Sequence, residues 1–323
     1  MKNRKMMIFL GFMVFIVIVI SCFSGCITNN RRLDSIPDDA VKMTPETDVF
    51  PPVLHSEEWE YPIPMPGPAN TAGAEDAPVI SPDGNLFLFF FTPDVTVPPE
   101  KQLLDGVSGI WWMEKVNGVW TEPARAILKY GLALDGPLCI VGDTLWFCSA
   151  RSGNYRELDI YTAELNNNKW GNWKNAGELL NVEYEVGELY LTGDGNTMVF
   201  DSPREGGFGG KDLWITEKVN GQWTEPVNLG EVINTEFDEG LPYISPDGNE
   251  LWYTSWSTLG YQGPALFRSI KDEFGTWGSP EEIISNFAGD PGLDAQGNIY
   301  FTHHFFTEDM VMIEADIYVA YKK

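Results

Sequence analysis

Acidic residues recur at one kind of place along this 323-residue chain. Glu75 and Asp76, Asp135, Glu185 and Glu188, Asp238 and Glu239, and Asp290 each stand just ahead of a short apolar run that ends in a turn. Carboxylates brought together from five such places would attract a cation or a basic ligand, and oxygen-only ligands favour Ca²⁺. Two carboxylates at a set separation would also meet the minimal demand of glycoside hydrolysis. The spacing singles out no such pair. Nucleophilic chemistry of the Ser/His/Asp kind has little to draw on, since the histidines are His55, His303 and His304 alone. His303 and His304 are adjacent in a predicted strand, so they face opposite ways and do not share a metal. Gly206–Gly210 joins two strands and opens no helix, so it is not a phosphate cradle.

The elements that must position these acids are repeated strands. The stretch from Asp194 to Gly248 runs from one Asp-Gly turn to the next and contains strand-length apolar runs at Thr197–Asp201, Leu213–Glu217, Trp223–Leu229 and Leu241–Ser245. Gly, Pro, Asn or Asp sits at each boundary. Apolar pairs opening each third strand, Ile110-Trp111, Ile160-Tyr161, Leu213-Trp214, Leu266-Phe267 and Ile317-Tyr318, follow one another at gaps of 50, 53, 53 and 51 residues. A Trp marks each fourth strand: Trp59, Trp120, Trp173, Trp223 and Trp277. A period near fifty is the mark of a repeat architecture. Trp59 precedes the first turn, whereas the last unit, Asp290 to Lys323, stops after its third strand. The strand near Trp59 therefore completes the last sheet, and pairing the chain ends leaves no open edge. The fold expected is all-β: a five-bladed β-propeller of four-stranded antiparallel blades over residues 53–323, closed by an N-terminal strand.

The Ser-Pro-Asp-Gly turns at Ser81 and Ser245, the run Arg204 to Trp214, and Asn228-Leu229-Gly230 with Ile233-Asn234-Thr235 resemble the TolB-like (WD40-like) β-propeller repeat. The likeness is strongest in the third and fourth units. It implies a cell-envelope protein that binds other molecules, and it implies no catalytic residues, because the motif defines blades and not a reaction. Arg151 lies eight residues before Asp159, and Arg204 eight before Asp212. Both are expected as ion pairs within a blade. The recurrent Trp residues are expected to pack between blades. Trp112, Trp170, Trp256, Tyr261 and Tyr155 fall outside the pattern and suit a sugar-stacking platform. Cys139 and Cys148 flank a hairpin, either as a cross-strand disulfide or as two buried thiols.

The N-terminus reads as a targeting segment. Lys2, Arg4 and Lys5 precede an apolar run from Met6 to Ile20, and Ser24-Gly25-Cys26 follows. Residues 1–26 are expected to be a lipoprotein-type signal with Cys26 as the lipid-bearing residue, or alternatively a retained membrane helix over Met6–Phe23. Residues 27–52 are polar and Pro-containing, which predicts a flexible tether. The net charge is −26, and the first 32 residues carry five basic groups and no acidic ones, so the remainder is more acidic still. Such a field repels nucleic acid. The sequence thus predicts an exported, membrane-tethered binding or scaffolding module for a protein or glycan, without catalysis. The alternative is a glycoside hydrolase using carboxylates at the channel mouth. The loops Asp94–Gly109 and Thr258–Pro264 depart from the repeat and are expected to carry its individuality.

Overall fold

The computed structural model describes residues 31–323; Cys26 and the signal segment lie outside them. The fold is all-β, with many antiparallel strands in several sheets. One strand succession recurs along the chain. Inner strands are Ala74–Ile80, Ala133–Val141, Leu189–Leu191, Gly240–Ile244 and Ala288–Leu293. Each pairs antiparallel with the strand that follows it: Leu86–Thr92, Thr144–Arg151, Thr197–Ser202, Glu250–Trp256 and Ile299–Phe306. Third strands, Gly109–Val116, Asp159–Asn166, Asp212–Val219, Pro264–Ile270 and Met312–Ala320, pair with these in turn.

The Asp-Gly turns are built alike. Asp83, Asp194 and Asp247 each accept a hydroxyl from the residue two before and the backbone N–H two after, while Gly84, Gly195 and Gly248 adopt φ near 70°. An L side chain rarely adopts that backbone, which is why glycine recurs there.

The inner strands touch in cyclic order: Ala74–Ile80 meets Ala133–Val141, that meets Leu189–Leu191, then Gly240–Ile244, then Ala288–Leu293, which returns to Ala74–Ile80. Ile63–Pro64 pairs with the last strand, Met312–Ala320, and Trp59 bridges Lys322. Trp59 is 1% exposed; its Nε1 donates to Gly297 O at 2.8 Å and its ring meets Trp252 edge-on at 5.5 Å. The other recurrent tryptophans are half-buried. A lysine at or just past the end of the third strand lies over the ring in Lys115–Trp120, Lys218–Trp223, Lys271–Trp277 and Lys322–Trp59, a cation–π cap that the sequence reading missed. Cys139 pairs in register with Trp146, and Cys148 with Gly136, so the cysteines are not opposite one another and remain thiols.

Residues 31–52, expected as a flexible tether, are instead laid down as a strap. Arg32 is 4% exposed and donates to Pro68 O at 2.6 Å. Lys42 pairs with both Glu314 and Asp316, and Asp48 pairs with His303 at 2.8 Å. The segment lacks an apolar period, so pattern reading takes it for unfolded chain. Lys42 and Asp48 meet buried polar groups on the sheets, while Ile36, Met43 and Phe50 pack on the cores one residue at a time. Among the described residues, no helix is long and apolar enough to cross a membrane.

Candidate functional site

Every inner strand enters through one five-residue pattern, aligned by distance from its turn: Glu75–Val79, Asp135–Cys139, Val186–Tyr190, Glu239–Tyr243 and Ala288–Gly292. The acids that looked irregular in sequence fall at three positions of this pattern. The first holds Glu75, Asp135 and Glu239. The second holds Asp76, and glycine elsewhere. The third holds Glu188 and Asp290.

First-position acids turn away from the channel and bind their own unit. Glu75 accepts the N–H and hydroxyl of Thr71 at 2.8 and 2.6 Å, and Glu239 accepts the same groups of Thr235 at 3.0 and 2.6 Å. Asp135 accepts Ser149 Oγ and Arg151 Nη2, both at 2.6 Å. All three are at most 3% exposed. They are structural brackets and do not belong to the expected mouth. Nor do the remaining two: Asp238 is exposed and accepts the Lys211 N–H at 2.8 Å, and Glu185 is half-buried with φ 52° outside the strand pattern.

The axial cavity is lined by the third and fourth positions of every unit: Ala77-Pro78, Pro137-Leu138, Glu188-Leu189, Leu241-Pro242 and Asp290-Pro291. Its volume is about 30 Å³, room for water but not for a sugar ring. Ala77, Leu241 and Asp290 stand there at φ 50°, 53° and 55°, at register shifts in the pairing with the second strand. Such bulges re-aim a side chain, and left-handed backbone at non-glycine residues is held only where the surroundings enforce it.

Asp76, Glu188 and Asp290 converge at the mouth, joined by Asp201, which the sequence reading missed. Asp201 ends the second strand Thr197–Ser202 and is 1% exposed. It accepts Leu241 N at 3.2 Å and Glu188 N at 3.3 Å, with Lys211 Nζ at 3.4 Å. A Cβ on Gly187 would lie 2.1 Å from Asp201 Oδ1 and one on Gly240 2.9 Å from Oδ2, so both glycines make room for this carboxylate. An Asp inside an otherwise apolar run was the available signal.

The four acids titrate apart. Burial opposes ionisation of Asp76, yet His304, 3.9 Å away, together with Thr302 and the Ala77 N–H, holds it at about 2. Burial, then repulsion from Asp201, pushes Glu188 to about 8. Burial and the neighbouring Asp76 and Glu188 push Asp290 well above the carboxylate range, and burial raises Asp201 despite Lys211. The Asp76 side chain is 37% exposed. Among the described residues no three His, Cys, Asp or Glu side chains are grouped to hold a metal ion, so the Ca²⁺ expectation finds no ready ligand set at the mouth.

Both expected ion pairs are corrected. Arg151 pairs with Asp135, and Arg204 with Glu225 at 2.6 Å. Asp159 accepts Tyr155 N, Arg156 N and Asn175 Nδ2; Asp212 accepts Phe208 N, Gly209 N and Asn228 Nδ2. The eight-residue spacing is therefore a loop length: the aspartate opening the third strand caps the loop before it.

Second strands end on the face where inner strands begin, so the loops between second and third strands surround the mouth. Trp256 and Tyr155, both 55% exposed, and Tyr261, 39% exposed, stand there. Trp112 and Trp170 instead pack edge-to-face at 6.1 Å and offer no platform.

No known protein family matches the sequence, and no curated protein does. Among solved structures the chain is similar to TolB from Acinetobacter baumannii, at 13% identity and TM-score 0.46 over 79% of this chain; it spans 56% of that protein's length. It is also similar to an α-L-arabinofuranosidase from Podospora anserina solved with cellotriose, at 13% identity and TM-score 0.48 over 80% of this chain and 95% of that one. At such identities no activity, ligand or partner passes from those proteins to this one.

Proposed function

We propose that the chain is a five-bladed β-propeller, closed by the strand beside Trp59, and that it serves as a binding module for a protein or glycan. The cyclic contact of the inner strands supports the count. Supporting closure, Asn70 brackets Ile317 of the last unit as Asn234 brackets Leu213 within its own, by paired bonds of 2.8–3.0 Å. The observation that carries the binding reading is the combination on one face: an acidic mouth too narrow to admit a sugar ring, and the exposed aromatics Tyr155 of unit two and Trp256 and Tyr261 of unit four at loops of that face. A ligand would rest across that face, stacking on the rings. Export and attachment through residues 1–26, with Cys26 lipidated, belong to the same proposal.

One observation favours a second reading, glycan cleavage. Asp76 is held ionised while Glu188 is held protonated, and environments that push two carboxylates apart are how acid and base roles are assigned in glycosidases. A panel of glycans and peptides, assayed in parallel for binding and for release of reducing ends, separates the two. Binding without product, weakened by Trp256→Ala and Tyr261→Ala, is expected. Reducing ends that appear with the native chain and vanish in Glu188→Gln would replace the first reading by the second.

A further inference from the structure

Units two and three carry the same arginine in two different states. Arg151 and Arg204 each stand two residues beyond a serine, Ser149 and Ser202, and each guanidinium lies over the ring that opens the third strand: Tyr161 at 4.3 Å and Trp214 at 4.9 Å. In unit two the groups around this arginine are answered, although Trp170 Nε1 on the fourth strand is a buried donor without a partner. Arg151 donates to Asp135, to Ser149 Oγ at 2.6 Å and to Leu128 O at 3.3 Å, and the Tyr161 hydroxyl donates to Asn154 Oδ1 at 2.7 Å.

In unit three both acceptors are missing. Val186 occupies the pattern position of Asp135. Gly207 occupies that of Asn154, since Tyr155 and Phe208, the residues after them, make the same bond to Asp159 and Asp212. Arg204 Nη1 and Trp214 Nε1 are consequently buried donors without a partner, and Trp214 is 6% exposed. Arg204 Nη2 is turned outward to Glu225, whose side chain is 74% exposed. Above Trp214 lies Gly206, which brings no side chain over it. Arg156 adds a further cation nearby, donating to Val186 O at 3.3 Å.

Orphaned buried donors are costly and rarely left so. Two other units fill comparable gaps from the strap, although Arg32 Nη1 and His303 Nδ1 stay without partners there. In unit five, where Ala288 takes the first position, Asp48 of the strap supplies the carboxylate to His303. In unit one, where Pro93 takes the place of the arginine, Arg32 of the strap lies over Phe89 and Trp111. The strap does not reach unit three.

We propose that Arg204 Nη1 and Trp214 Nε1 form a binding site for a carboxylate, supplied by a small organic acid or by an acidic side chain of a partner, in the position that Asp135 fills within unit two. The guanidinium gives a charge-assisted bond and the indole a neutral one. This site is separate from the acidic mouth, and it stands or falls independently of the binding proposed there.

The indole N–H resonances of the full chain, with Trp214 identified through Trp214→Phe, test it. Acetate and a glutamate-bearing peptide are the two probes. A saturable shift of the Trp214 indole with acetate assigns a small acid; a shift at lower concentration with the peptide assigns a partner's side chain. Arg204→Gln should weaken either response roughly tenfold, one charge-assisted bond's worth. Val186→Asp should abolish it by filling the position from within. If Val186→Asp fails to fold, Arg204→Gln alone decides. A Trp214 indole that ignores both probes, or responds equally in Arg204→Gln, means that the donors hold structural water only and overturns the proposal.

Discussion

Glu188→Gln should make the protein more stable at every pH above about 4.5, and most of all at alkaline pH. Glu188 enters the mouth beside Asp201 and Asp76, and burial with their repulsion lifts it from 4.5 to about 8. At about 1.36 kcal/mol per pH unit, that displacement is worth about 4–5 kcal/mol at most. Channel water and Lys211 screen the site, so a realistic figure is about 1–3 kcal/mol. A raised carboxyl favours the folded state while it is protonated. Its contribution is fully present below pH 4.5, where folded and unfolded chains are both protonated, and declines as pH rises towards 8 while only the unfolded chain ionises. Gln remains neutral throughout. The variant should therefore match the native chain near pH 4.5 and exceed it near pH 9. Chemical denaturation at pH 4.5, 7 and 9 reads this directly. A difference that does not change with pH, or a Gln variant weaker at pH 9, would refute the placing of Glu188 among buried like charges.

Asp76 is displaced the other way, to about 2, so Asp76→Asn should cost stability above pH 4, and the cost should vanish as acid protonates the native carboxylate; pH-resolved melting curves check it. Arg151→Ala breaks a pair whose members are 3% and 4% exposed and should cost about 3–5 kcal/mol. Arg204→Ala loses an exposed ion-pair partner and its stacking on Trp214 and Tyr184 and should cost less, about 1–2 kcal/mol; denaturation of both variants side by side tests the contrast. Trp59→Ala should cost about 3–5 kcal/mol, since Trp59 packs on Trp252 and ties the chain's two ends. Denaturant midpoints with an unchanged slope would show the loss as stability alone.

The strand succession was legible because it is written in local signals: turns with obligatory glycine, apolar runs of fixed length, and a period near fifty. The pairing of Ile63–Pro64 with the last strand was legible from phase, since one landmark ran ahead of the others. The site was legible only in part. Asp76 and Asp290, expected ahead of inner strands, lie within them, and Glu188 directly precedes one; proximity to a strand does not say which way a carboxylate points. Glu75 and Asp76 are neighbours in sequence, yet one is bracketed by Thr71 and the other faces His304. Neighbours in a strand face opposite ways, and the bulge that follows Asp76 is a property of backbone pairing with no residue signature of its own. Asp201 was overlooked because it sits at the end of a second strand, where no acid was sought. The arginine pairs were misassigned because a constant spacing of eight was read as a contact when it measures a loop.

The strap failed for a more general reason. Composition rules ask whether a segment can bury apolar surface of its own, and residues 31–52 cannot. They ask nothing about whether the segment supplies what a repeat lacks. An imperfect repeat leaves defined gaps, a carboxylate missing beside His303 and a guanidinium missing over Phe89 and Trp111, and Asp48 and Arg32 fit those two gaps. The strap's binding energy is therefore encoded jointly, half in the strap and half in the departures of units one and five from the repeat. The places to look for function in a degenerate repeat follow from this. Gaps the chain fills in part from the strap, as in units one and five, are structure even though Arg32 Nη1 and His303 Nδ1 stay unpaired; a gap that receives no group from elsewhere in the chain, as beside Arg204 and Trp214, is where something from outside can complete the pattern.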